Sequence, residues 1–66
     1  MNGEGNRVAT IKVALQMFWD SIYGAKNMTD LVVVRFVAHA YYRAGHIRVK
    51  DYVRVMKWTN KKEVTL

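Results

Sequence analysis

Seven basic side chains fall within twenty residues near the C-terminus: Arg43, Arg48, Lys50, Arg54, Lys57, Lys61 and Lys62. Asp51 is the one acid among them. Lysine and arginine at this density suit one task above others, which is to neutralise closely spaced negative charge and release the counterions condensed on a polyanion. The rest of the chain does not share the bias. Up to Tyr42 there are four basic residues against three acids, so the net charge of +6 and the pI near 10.0 are set almost wholly by residues 43–62. Trp58 stands beside Lys57 and adds a flat ring that could meet a base or a partner. Arg43, Arg48, Lys50, Arg54, Lys57, Trp58, Lys61 and Lys62 are therefore the candidate binding residues. Nucleic acid is the expected partner, DNA first and RNA second, met mainly through phosphates.

No other residue set points to a reaction. His39 and His46 are seven apart rather than four, which does not suit two ligands on one helical face. His39 lies in an apolar run and is expected to be a packed core residue, and His46 follows a glycine and is expected in an exposed turn. The five acids are scattered, and none forms a local acid–base couple. Ser21 has no histidine near it in sequence. Gly3 and Gly5 do not make a phosphate loop. With no cysteine there is neither a disulfide nor a thiolate metal site. The expectation is a protein without enzymatic activity, metal or cofactor.

A chain of 66 residues makes one domain, and at this size the core is small. Its composition is 52% hydrophobic with no proline, which favours densely packed helices. Residues 1–6 read as a flexible tip, and 7–66 as a single helical domain. From Arg7 to Tyr23 the residues Val8, Ile11, Leu15, Phe18 and Ile22 recur at steps of 3, 4, 3 and 4, one helical stripe, with Lys12, Gln16 and Asp20 opposite. Gly24 stands where a left-handed cap would end this helix. A second helix spans about 30–44, capped by Thr29 or Asn27, with Asp30 in its first turn. Leu31, Val34, Ala38, Tyr41 and Tyr42 share one side, and Val33, Phe36, Val37 and Ala40 widen it. The helix is then apolar nearly all round and expected to be covered on two sides, ending at Gly45. Most aromatic residues are expected on buried faces.

Residues 47–66 admit two patterns. As a helix over about 48–58, Val49, Tyr52, Val53 and Met56 line one face, with Lys50, Arg54 and Lys57 on the other. As strands, Ile47 and Val49 alternate with Arg48 and Lys50, and "TNKK" turns into "EVTL". The complete i, i+3, i+4, i+7 set favours the helix, with a further short helix opening at "TNKKEV". The expected fold is thus all-α, a compact three- to four-helix domain. The alternative is two helices plus a C-terminal β-hairpin.

The segment "RFVAHAYYRAGHIRVKDYVRVMKWTNKKEV" resembles helix-turn-helix and winged-helix DNA-binding domains. An apolar helix leads to "G-x-I-x-V-x-D-Y" and a short second helix, with Ile47, Val49, Asp51, Tyr52 and Trp58 at the matching positions. The resemblance implies a DNA-binding accessory or regulatory role. Eight residues follow Trp58, too few for a full recognition helix and a wing, so the recognition helix is truncated. An RNA-associated role fits the charge equally. The alternative function is a helical interaction protein, a homo-oligomer or a subunit of a larger assembly, because the 3-4-3-4 stripe of the first helix also suits pairing between chains. No run reaches the roughly 18 apolar residues of a membrane span, and the cytoplasm is the expected location.

Overall fold

The computed structural model describes the backbone of residues 3–66 and the side chains of residues 9–66. Met1 and Asn2, and the side chains of residues 3–8, Arg7 and Val8 among them, lie outside the described residues; the backbone of residues 3–6, expected in a flexible tip, is the first turn of α1. Three helices follow in order: α1 (Gly3–Tyr23), α2 (Met28–Arg43) and α3 (Val49–Thr65). Each helix packs against both others. No strand occurs among the described residues, so the hairpin alternative is not the one adopted. The described residues do not form a fourth helix either. Residues 59–65 continue α3, because no glycine or proline interrupts them.

The core forms where the three helices meet. Helix α1 contributes Ile11, Ala14, Phe18 and Ile22 at steps of 3, 4 and 4, with Leu15 half-buried beside them, close to the expected stripe. Helix α2 contributes Leu31, Val34 and Ala38. Ala25 closes the first connection and Ile47 the second. Each large side chain here stabilises the fold by about 1.5–3 kcal/mol through burial. Phe18 also meets Tyr41 edge to face, with ring centroids 5.3 Å apart.

Helix ends are set by local chemistry. Asn27 caps α2 by accepting from the backbone N–H of Asp30 at 3.0 Å, and Asp30 accepts from the N–H of Lys26 at 2.9 Å. At the other end Gly45 adopts φ +80°, and the N–H groups of Gly45 and His46 donate to the carbonyls of Tyr42 and Tyr41. That is a Schellman motif, which a side-chain contact commonly accompanies. Here the contact is made by the His46 and Tyr41 rings, 5.7 Å apart. Gly24 does not play this part. It has no positive φ, and α1 closes with the Gly24 N–H donating to Asp20.

Several expected faces are corrected. Helix α2 is covered on one side, not two: Val32, Val33, Phe36 and Val37 are exposed, Phe36 at 76%. Two neighbouring helices can cover one stripe of α2, and the described residues supply no further element to cover the rest. His39 is exposed, its ring 6.0 Å from that of Tyr52, and is not a core residue. Tyr23, Trp19 and Tyr42 are exposed as well, so half of the eight aromatic residues lie outside the core.

Helix α3 is turned by about one residue, roughly 100°, from the expected orientation. It buries Asp51, Val55 and Thr59, with Tyr52 and Met56 half-buried, while Val49 and Val53 face outward. Two polar residues can occupy the inner face because both are satisfied. Asp51 accepts from the Arg48 backbone N–H at 3.0 Å and from its Nε at 2.7 Å. Thr59 donates to the Met56 carbonyl at 2.8 Å and accepts from Arg35. Among the described residues no buried side-chain polar atom lacks a hydrogen-bond partner. No described helix is long and apolar enough to cross a membrane.

Candidate nucleic-acid interface

Turning α3 sorts its cations into two groups. Lys50, Arg54, Lys57 and Lys61 recur at steps of four, three and four, and all four are exposed. At about 100° per residue they lie within about 60° of one another, in a line about 16 Å long. The stripe includes Lys61 because α3 does not stop at Trp58. None of the four forms a salt bridge among the described residues. The acids among the described side chains are engaged elsewhere: Asp20 with Gln16, Asp30 at the start of α2, Asp51 with Arg48, and Glu63 with Arg35.

Two of the three remaining basic candidates serve the fold. Arg48 grips Asp51 through Nε at 2.7 Å and through a terminal nitrogen at 3.2 Å. That hydrogen bond holds the Asp51 carboxyl below the usual carboxylate range. Burial opposes the shift, while the Arg48 N–H and the nearby Arg48 and Lys50 charges reinforce it. The Arg48 guanidinium is raised in turn, chiefly by the same hydrogen bond. Lys62 reaches across to α1, where Nζ donates to the Tyr23 carbonyl at 2.9 Å and lies 5.7 Å from the Tyr23 ring centroid. The last turn of α1 has no basic residue of its own, so Lys62 supplies from a distance the cation that a helix C-terminus favours. Arg43 is exposed in the last turn of α2 and is not part of the α3 stripe.

Trp58 is half-buried against Trp19 of α1, with ring centroids 5.1 Å apart and planes at 77°. A shallow cleft opens on each side of this pair along the α1–α3 seam. One, of about 470 Å³, is bordered by Lys12, Gln16 and Arg54. The other, of about 300 Å³, is bordered by Tyr23, Lys61 and Lys62. Lys12 and Trp19 are not among the candidate binding residues read from the sequence: Lys12 reads as solvent-facing and Trp19 as the edge of the apolar stripe of α1, and only the packing of α3 beside α1 brings both to this cleft. Comparison of the chain with known protein families, with curated proteins and with solved structures returned no match.

Proposed function

We propose that this is a small nucleic-acid-binding protein without enzymatic activity, and that Lys50, Arg54, Lys57 and Lys61 hold phosphates along one side of α3. The observation that carries the reading is the four-cation stripe: aligned, exposed, and free of internal salt bridges while every described acid is engaged elsewhere. The helix-turn-helix resemblance favours DNA and an accessory or regulatory role. In the fold those residues form most of α2, a five-residue connection and one long helix. The side of α3 would therefore meet the phosphates, giving affinity without base reading. Arg43, Arg48 and Lys62 contribute less, because two of them are committed to the fold and the third lies on α2 rather than in the aligned row of α3. The test is a salt titration of affinity for duplex DNA. Neutralising Lys50 and Lys57 to Gln should reduce the magnitude of the log–log slope by about 1.8, at roughly 0.9 per lost contact. Neutralising Lys26 and Arg43 should leave it near the parent's. Equal losses from both pairs would reject the stripe as the site.

A specific observation favours a second reading, self-association. Val13 and Met17 of α1 and Val33, Phe36 and Val37 of α2 form an exposed apolar surface beside the α1–α2 groove. The groove itself is lined by no charged side chain, and it lies between α1 and α2 rather than along the α1–α3 seam. Two copies could pair there without apposing their basic stripes, in the self-complementary manner of a twofold dimer. Light scattering of the parent and of Phe36→Asp decides it. A dimer that the substitution dissociates supports the reading, and a monomeric parent rejects it.

A further inference from the structure

We infer that the Trp19–Trp58 pair is a stacking site for unpaired bases, so that the natural ligand of this surface is single-stranded nucleic acid. The inference rests on the nucleic-acid reading above and names its substrate class. Trp19 is 44% exposed although it is one of the largest apolar side chains in the chain. Its partner is another tryptophan set almost perpendicular to it. In an edge-to-face pair, the ring that offers its edge keeps both faces uncovered by the other. Both tryptophans border both clefts, so the pair forms the wall between two open spaces. Each space falls within the volume range of small-ligand sites.

Charge is placed to match. Arg54 borders one cleft and Lys61 the other. Seven residues of helix separate them by about 10 Å, so cations stand on both sides of any base seated against the indoles. Lys12 adds a third positive charge from α1. The neighbouring acid, Asp20, is bridged to Gln16 at 2.9 Å. Aromatic rings interleaved with phosphate-binding cations are the arrangement by which single strands are held, because an unpaired base offers its flat face. A duplex offers base edges in its grooves and keeps the faces stacked. Inserting an indole there would require unstacking a step, which opposes binding. On duplex DNA the stripe could act while the tryptophans remained idle, so the pair gives the surface a preference that charge alone would not.

The chain's two tryptophans are both in this pair, so indole emission reports the site alone. The experiment titrates the full chain at low salt with a short deoxythymidylate strand, and separately with the same strand annealed to its complement. The strand should bind more tightly and quench the emission, and the duplex should leave emission close to that of the free protein. Trp19→Ala, checked for helix content by circular dichroism, should weaken strand binding about tenfold or more and leave duplex binding unchanged. Trp19→Phe should retain most of the affinity. Equal binding of strand and duplex with unchanged emission in the parent would overturn the stacking site and leave the phosphate-binding reading standing. So would full strand affinity in a folded Trp19→Ala. No binding of either nucleic acid at low salt would overturn both. Quenching in the parent requires no substitution, so it decides the matter even where a variant fails to fold.

Discussion

Arg35 on α2 donates its Nε–H to Oγ1 of Thr59 on α3, at 3.0 Å and across 24 residues of sequence. The same guanidinium continues along α3 to Asn60 at 3.1 Å and to Glu63 at 2.7 Å. One half-buried cation thus spans a full turn of the neighbouring helix and fixes its rotation, because only this orientation brings positions 59, 60 and 63 under one guanidinium. Thr59 is itself fully buried, and its hydroxyl both donates and accepts. The contact is a structural latch.

Thr59→Val keeps the shape of the side chain and removes the acceptor. It should destabilise the fold by about 1–3 kcal/mol, the range for losing a hydrogen bond to a charged donor. In a double-mutant cycle with Arg35→Met the two losses should fall short of additive by about 0.5 kcal/mol or more. Urea unfolding followed by circular dichroism measures all four proteins. Additive losses would show that the two residues act independently.

Two phenylalanines should behave in opposite ways. Phe18 lies in the core. Phe18→Ala should cost about 3–5 kcal/mol, enough to unfold a domain of this size. Phe36 is 76% exposed. Phe36→Ala should change the stability of the monomer by about 0.5 kcal/mol at most. Melting temperatures of the two variants at low protein concentration check this contrast.

The glycines divide similarly. Gly45 has φ +80° with open space where a Cβ would be. Gly45→Ala therefore meets no clash and loses about 1–2 kcal/mol to backbone strain alone. Gly24 lacks a positive φ, and a Cβ there would sit 3.4 Å from the Asp20 carbonyl, at ordinary contact. Gly24→Ala should be near neutral. Chemical denaturation of both variants tests the assignment of the left-handed cap to the second connection.

Asp51 ties stability to pH. Its carboxyl is held below the ordinary carboxylate value, so the folded state binds its proton less readily than the unfolded chain does. The stabilisation is complete above about pH 3.9, the ordinary aspartate value, and is lost as pH falls through the depressed folded value. Asp51→Asn should lower stability at neutral pH and flatten the decline on the acid side of the ordinary aspartate value. Thermal melts from strongly acidic to neutral pH provide the comparison. A variant whose acid branch parallels the parent's would assign the acid sensitivity to other carboxylates.

Much of this molecule was legible in the chain as written. The stripe of α1, a cap at Asn27 or Thr29, the helix end at Gly45 and the crowding of cations from Arg43 onward all follow from residue type and spacing, because helical periodicity and capping act over three or four residues. The inner faces of α2 and α3 were not legible in the same way. Hydrophobic pattern placed Val49 and Val53 inside and read α2 as apolar nearly all round. The fold instead buries Asp51 and Thr59 and leaves Phe36 in solvent. A polar side chain can be buried only when its partners are known: those of Asp51 include a turn residue's guanidinium, and that of Thr59 sits on another helix. Rotating α3 to meet them is also what separated the four free cations from the two committed ones and brought Trp58 against Trp19. Local chemistry determined that α1 and α2 form, favoured a helix over a hairpin in the segment that became α3, and set where the charge accumulates. The tertiary structure decided which of those charges face outward, because hydrogen bonds between residues 24 to 39 positions apart select one helix rotation from several that the hydrophobic pattern allows.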